Sequence, residues 1–91
     1  MLACEMPFSF LAADGAVESG VMDAVLEAAD GTVWVADYKT DRIQPGEEAA
    51  VLDKKYRLQL GVYGQAARKL FPGRRVRCSA VFLRTFAAAD L

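Results

Sequence analysis

The residues of this sequence whose types and positions could do chemistry are Asp23, Asp37 and Lys39. Both aspartates sit inside stretches that otherwise read as apolar strands, where aspartate is depleted and an ionised carboxylate without a partner is costly to bury. Asp23 is expected to share its face with Val21 and Val25, and Asp37 to share its face with Val33 and Val35. Lys39 stands two residues beyond Asp37, so its amine emerges on the same side of the strand. Two inward carboxylates repel each other unless something positive lies between them. A hard divalent cation meets that need, because Mg²⁺ takes oxygen ligands from one or two carboxylates and keeps several waters. An ammonium beside it can orient or help deprotonate a water and offset charge on a phosphate. The competing reading is a structural ion-pair cluster with Lys39 as counter-ion. The chain has no histidine, which excludes Ser–His and Cys–His hydrolases and zinc sites built on imidazole.

Whether the acids meet depends on strand register. If Ala29-Asp30-Gly31 is a three-residue loop with Gly31 in the left-handed region, Ala28 pairs with Thr32. Val25 then lies opposite Val35 and Asp23 opposite Asp37, with Cβ atoms about 4.5–5.5 Å apart. A two-residue loop would move the acids to opposite faces. Ala-Ala-Asp-Gly also occurs at residues 12–15, and the same loop there sets Glu5 opposite Asp23, as a possible further ligand or an edge residue.

Residues 4–11, 17–27 and 32–38 read as three consecutive strands, with Pro7 pointing to a sheet edge or an irregular start for the first. A polar loop at residues 39–49 contains Pro45-Gly46. Residues 50–71 carry Leu52, Tyr56, Gln59, Tyr63, Ala66 and Leu70 at steps of three and four, the mark of one helical face. Pro72-Gly73 ends that helix, and residues 76–86 read as a fourth strand buried on both faces. Gln59 stands out as an amide within the apolar stripe. It could face the acids together with Tyr63, or be satisfied by backbone groups.

At 91 residues the chain has room for one small α+β domain. Its net charge of −1 hides an asymmetry: ten acids and two bases in residues 1–49 (−8), two acids and nine bases in residues 50–91 (+7). An acidic half followed by a basic half suits a cation site beside a surface that attracts phosphates, with Arg68, Lys69, Arg74, Arg75 and Arg77 as candidates. Cys4 and Cys78 lack metal-type spacing and read as small core residues of a reducing cytoplasm. No apolar run approaches membrane-spanning length.

Gly20-Val21-Met22-Asp23, then Asp37-Tyr38-Lys39-Thr40-Asp41, then Gln59-Leu60-Gly61-Val62-Tyr63 form an ordered set. The set resembles the RecB-type branch of the PD-(D/E)XK nucleases, in particular the C-terminal nuclease domain of AddA-type (UvrD/Rep-like) helicase–nucleases, where Glu-x-Pro-Phe of residues 5–8 also recurs. The resemblance implies a restriction-endonuclease-like α/β core, a three-stranded meander followed by one long helix and a fourth strand (βββαβ), occupying residues 1–91. It implies hydrolysis of DNA phosphodiester bonds with Mg²⁺ or Mn²⁺ held by Asp23, Asp37 and the backbone carbonyl of Tyr38. Lys39 would position the attacking water, and Gln59 and Tyr63 would support the site. It also implies processing of single-stranded DNA or duplex ends in recombinational repair, alongside helicase domains of the same parent chain and a partner subunit, in the nucleoid-associated cytoplasm. Two features depart from the pattern. The upstream helix that usually adds a ligand is missing, and no helicase motif G-x-x-x-x-G-K-[ST] is present, which suggests a fragment or excised domain. Some relatives also hold an iron–sulfur cluster through four cysteines; two cannot do so, and no cluster is expected. A non-catalytic nuclease-like DNA-binding or scaffolding module is the alternative, and action on RNA or DNA junctions a weaker third.

Overall fold

A computed structural model describes residues 2–91. The three expected strands are β1 (Ala3–Leu11), β2 (Val17–Glu27) and β3 (Val33–Lys39). The helix starts as α1 (Glu48–Val51), widens into a π-helical turn over Leu52–Tyr56 and continues as α2 (Arg57–Leu70). The expected fourth strand is β4 (Val76–Phe82); residues 83–86, expected to continue it, form a turn that leads into a fifth strand, β5 (Ala87–Asp90). The sheet order is β1-β2-β3-β4-β5, antiparallel except for the parallel pair β3–β4 that the helix connects. Pro7 lies on the edge strand β1, where its missing N–H is tolerated.

The repeated Ala-Ala-Asp-Gly folds the same way twice. The N–H of Gly15 donates to Ala12 O at 3.0 Å and that of Gly31 to Ala28 O at 2.9 Å. Asp14 and Asp30 accept from the N–H groups of Ala16 and Thr32. Gly15 and Gly31 take φ of 86° and 89°, open to glycine without steric cost. These three-residue loops set the expected registers: Val25 opposes Val35 across β2–β3, and Met6 opposes Met22 across β1–β2.

One expectation fails between those pairs. Ala3 pairs with Val25 and Phe8 with Gly20, and both pairs lie on the helix side of the sheet, although five residues separate them along each strand. Val25 is placed there by Val35 and Cys78, and Phe8 by its edge-on ring contact with Tyr63. Both strands therefore change face while keeping register. The change occurs where the Glu5–Asp23 pair is missing from the ladder and Glu5 adopts φ 50°. Val21 is consequently 48% exposed and Val25 fully buried, so they do not share the face expected for them.

Val33, Val35, Cys78, Ala80 and Phe82 meet Leu52, Leu60, Tyr63, Ala66 and Ala67 of the helix in the core. Each large apolar side chain buried there contributes roughly 1.5–3 kcal/mol, enough in sum to carry an unfavourably placed acid. At Gly64 a Cβ would lie 3.3 Å from Cys78 Sγ, so this is where helix and sheet approach closely. Leu60 and Ala67 join the core, whereas Leu70 is largely exposed and Cys4 is at the surface, against expectation for both. On the opposite face Trp34 Nε1 donates to Ser79 Oγ (2.7 Å), Ser79 donates to Asp90 (2.5 Å), and Arg77 both donates to Asp90 (2.8 Å) and stacks on the Trp34 ring. This network fastens β5 to the sheet. Among the described residues no helix is long and apolar enough to cross a membrane.

Candidate active site

The β2–β3 ladder ends at Ala24↔Ala36, while β2 runs on paired to β1 and β3 runs on paired to β4. A fork opens there, and Asp23 and Asp37 are the first residues inside it. Where a backbone acceptor on β2 would have served the N–H of Tyr38, Asp23 Oδ2 accepts it at 2.8 Å. Asp37 is 4% exposed. Burial and the adjoining Asp23 carboxyl, within hydrogen-bonding reach, push its pKa up to about 6, against the opposing pull of Lys39.

The Lys39 ammonium lies 2.6 Å from Asp37 Oδ2, donates to Gln59 Oε1 at 2.8 Å and sits 3.9 Å from the centre of the Tyr56 ring. Gln59 in turn donates through Nε2 to the Tyr63 hydroxyl at 3.0 Å. Desolvation, and then the negative charge of Asp37, raise the Tyr63 pKa and hold the phenol neutral. The sequence motif is thus one connected chain, Asp23–Asp37–Lys39–Gln59–Tyr63. Gln59 is exposed rather than buried, so it closes the rim of the site and opens onto a cleft of about 330 Å³ lined by Glu18, Ser19, Gly20, Gln59, Val62 and Tyr63.

Tyr56 and Asp41 belong to the same constellation, although residue types alone did not mark them. The Tyr56 hydroxyl donates to Asp41 at 2.8 Å, and Lys55 donates to the same carboxylate at 3.1 Å. Burial works against the charge on Asp41, but these two donors outweigh it and its pKa is lowered. The π-helical turn ends at Tyr56, whose φ of −121° departs from the helix. The extra residue of such a turn re-aims side chains and recurs at functional sites. The available signals were Asp41 two residues after Lys39 and a phenol three residues before Gln59.

The donor set fits a divalent cation. Asp37 Oδ2 is a buried oxygen whose approach by the Lys39 ammonium, at 2.6 Å, is that of an ion pair and not of a well-aligned hydrogen bond. A buried carboxylate oxygen with lone pairs left unsatisfied, beside a second carboxylate, is what a hard cation would satisfy. Glu5 is not brought to the pair: its left-handed backbone interrupts the pairing with β2 and its side chain is exposed. Among the described residues no third histidine, cysteine, aspartate or glutamate joins the two aspartates.

The basic residues expected to hold phosphates are not gathered here. Arg74 donates to Gly31 O and pairs with Glu27, and Arg77 is bound to Asp90 and Trp34, all at the far end of β3 and β4. Arg75 is exposed at that same end, whereas Arg68 and Lys69 lie at the end of α2 beyond Tyr63. Chain order placed these charges in one half of the sequence, but the fold distributes them over two other sides of the molecule. Lys39 lies against Asp37, Lys55 pairs with Asp41, and Arg84 Nε donates to Thr40 O at 3.4 Å.

The chain is 42% identical to an ATP-dependent helicase/nuclease subunit of Desulforudis audaxviator, in a match that covers 79% of this chain and 6% of that protein. It is 36% identical to the protein of the same description from Lacticaseibacillus casei, over 96% of this chain and 8% of the relative. It therefore spans under a tenth of the length of these relatives. The family model described as the PD-(D/E)XK nuclease superfamily matches residues 1–89. With its mixed sheet, its helix after three strands and its forked acidic pair, the chain belongs to the PD-(D/E)XK nuclease superfamily, in a restriction-endonuclease-like fold.

Proposed function

We propose that the chain is a metal-dependent DNA nuclease domain that hydrolyses phosphodiester bonds. The observation that carries this reading is a pair of aspartates at a strand fork, Asp23 bonded to the Tyr38 N–H at 2.8 Å and buried Asp37 ion-paired with the Lys39 ammonium at 2.6 Å. Asp23, Asp37 and the backbone carbonyl of Tyr38 would hold Mg²⁺ or Mn²⁺. When bound, the ion supplies positive charge at the scissile phosphate and a more acidic water. Asp37 must give up its proton to serve, and Lys39 compensates the resulting charge. The Lys39 amine, held by Gln59 and the Tyr56 ring, orients the attacking water and faces charge that develops on the phosphate. Tyr63 fixes Gln59 and borders the cleft where the substrate strand enters. The relatives' description as helicase/nuclease subunits supports a place in an ATP-dependent helicase–nuclease that processes DNA ends in recombinational repair, with this chain as its nuclease segment. Incubation of labelled single-stranded DNA with the chain, and with the protein that carries it, tests the reading. Cleavage should require Mg²⁺ or Mn²⁺ and disappear in Asp37→Ala; undiminished cleavage by that variant refutes it.

The two-carboxylate count favours a second reading, a nuclease-like module that binds DNA without turnover. Calorimetric titration with Mn²⁺ separates the two. A catalytic core binds the ion and loses it in Asp23→Asn, whereas a binding module takes up no Mn²⁺ at this site.

A further inference from the structure

The turn between β4 and β5 has a feature that the nuclease reading does not use. Phe86 is 93% exposed and adopts φ 54°, a backbone region where glycine is comfortable and a bulky residue is not. Among the described residues Phe86 is not part of the core cluster. A solvated aromatic on a conformation that disfavours it is the kind of local conflict that points to function. The turn is also fixed relative to the acids. Leu83 N–H donates to Lys39 O at 2.9 Å, and Arg84 Nε approaches Thr40 O. Phe82 pairs with Lys39 on one side and with Ala87 on the other, so the turn begins in hydrogen-bond contact with the Lys39 backbone and its far end lies roughly 10 Å, two strand spacings, from it. Leu83 is 46% exposed and Arg84 is exposed beside it.

We propose that residues 83–86 form a stacking platform for a base of the single-stranded nucleic acid whose backbone passes the Asp23–Asp37–Lys39 site. The inference rests on the nuclease reading. An exposed aromatic ring on the same turn as an exposed arginine suits this ligand, because every base has a π-face and the neighbouring phosphates attract the cation. Continuity with the catalytic lysine through Lys39 O favours a nucleic acid over a protein partner. Stacking of this kind is independent of base identity, so the turn would grip strands without reading sequence.

The test is fluorescence anisotropy of a short labelled oligodeoxythymidylate with the chain in Ca²⁺, with thermal melting of each variant in parallel. Phe86→Gly should weaken binding about five- to a hundred-fold while its melting temperature holds or rises, because glycine relieves the positive φ. Phe86→Trp should retain affinity, and Leu58→Ala, which removes an equally exposed apolar side chain from the helix, should leave it unchanged. Wild-type affinity in Phe86→Gly, or no oligonucleotide binding by the wild type, overturns the proposal. Wild-type dimers in gel filtration that Phe86→Gly converts to monomers, with unchanged oligonucleotide affinity, would mark the turn as a protein contact and also overturn it. Cleavage in Mn²⁺ keeps the two ideas apart: activity lost in Asp37→Ala but unaltered binding in Phe86→Gly leaves the nuclease reading standing and removes only the platform.

Discussion

Asp37 is buried next to another carboxyl group and one ammonium, and these neighbours pull its protonation in opposite directions. Its pKa rises from 3.8 to about 6, so between those values the folded protein holds a proton that the unfolded chain has released. More protons bound to the folded state means that stability falls as pH climbs through this window. Asp41 and Asp90, held below their usual range, contribute with the opposite sign, so the comparison must be against a variant. Urea midpoints in EDTA should decline for wild type relative to Asp37→Asn from about pH 4 to 6, and parallel curves would refute the assignment. Tyr56 offers a second residue-level test. Its ring lies over the Lys39 amine, a contact worth roughly 0.5–2 kcal/mol. Tyr56→Leu should lower kcat for DNA cleavage about ten-fold with little change in KM, because the amine loses its aim rather than the substrate its contacts. Tyr56→Phe keeps the ring, loses the Asp41 bond and should fall between; equal kcat in all three proteins would mean that Tyr56 only packs.

Among the elements, the turns decided how much could be read in advance. Two copies of Ala-Ala-Asp-Gly, each with glycine at a positive φ, determine two registers, and with them the meeting of Asp23 and Asp37. That chemistry is local and therefore legible in the sequence. The face change at Glu5 was not, because it depends on Phe8 packing against Tyr63 on a helix fifty-five residues away in the chain. The π-helical turn was hidden for a similar reason: steps of three and four describe its flanks equally well, and only the tertiary pull of Asp41 on Tyr56 shows where the extra residue sits. β5 escaped because Ala87–Asp90 carries almost no β-propensity and is secured by Asp90 to Ser79 and Arg77. Gly31→Ala should cost on the order of 1 kcal/mol, seen as a lower urea midpoint, since its φ of 89° disfavours any Cβ. Gly20→Ala places a Cβ 3.0 Å from the Phe8 ring, which must shift by a few tenths of an ångström against the Tyr63 ring that meets it edge-on. The substitution should reduce cleavage if the Phe8–Tyr63 contact orients the Gln59 end of the site, an effect that Gly31→Ala, at the far end of β3, should not share.

A molecule of 91 residues has little stability to spare, and its single core must carry two adjoining acids. Without a cation the fork is a liability: one carboxyl keeps its proton, or two charges repel. Ion binding should therefore stabilise the whole domain and not merely fill a site. At a free concentration one hundred times the dissociation constant, linkage gives about 2.7 kcal/mol. For a domain of this size each kcal/mol shifts the melting temperature by about 4–8 °C, so saturating Mn²⁺ should raise it by roughly 10–20 °C. The gain should shrink below about pH 6, where Asp37 regains its proton and competes with the ion. Asp23→Asn should reverse the order. It removes one of the two opposed charges, so the metal-free variant should melt no lower than wild type, yet it should show almost no shift with Mn²⁺. A variant that melts much lower without metal and still responds fully to Mn²⁺ would show that Asp23 is needed only for its bond to the Tyr38 N–H, and that the ion is held elsewhere.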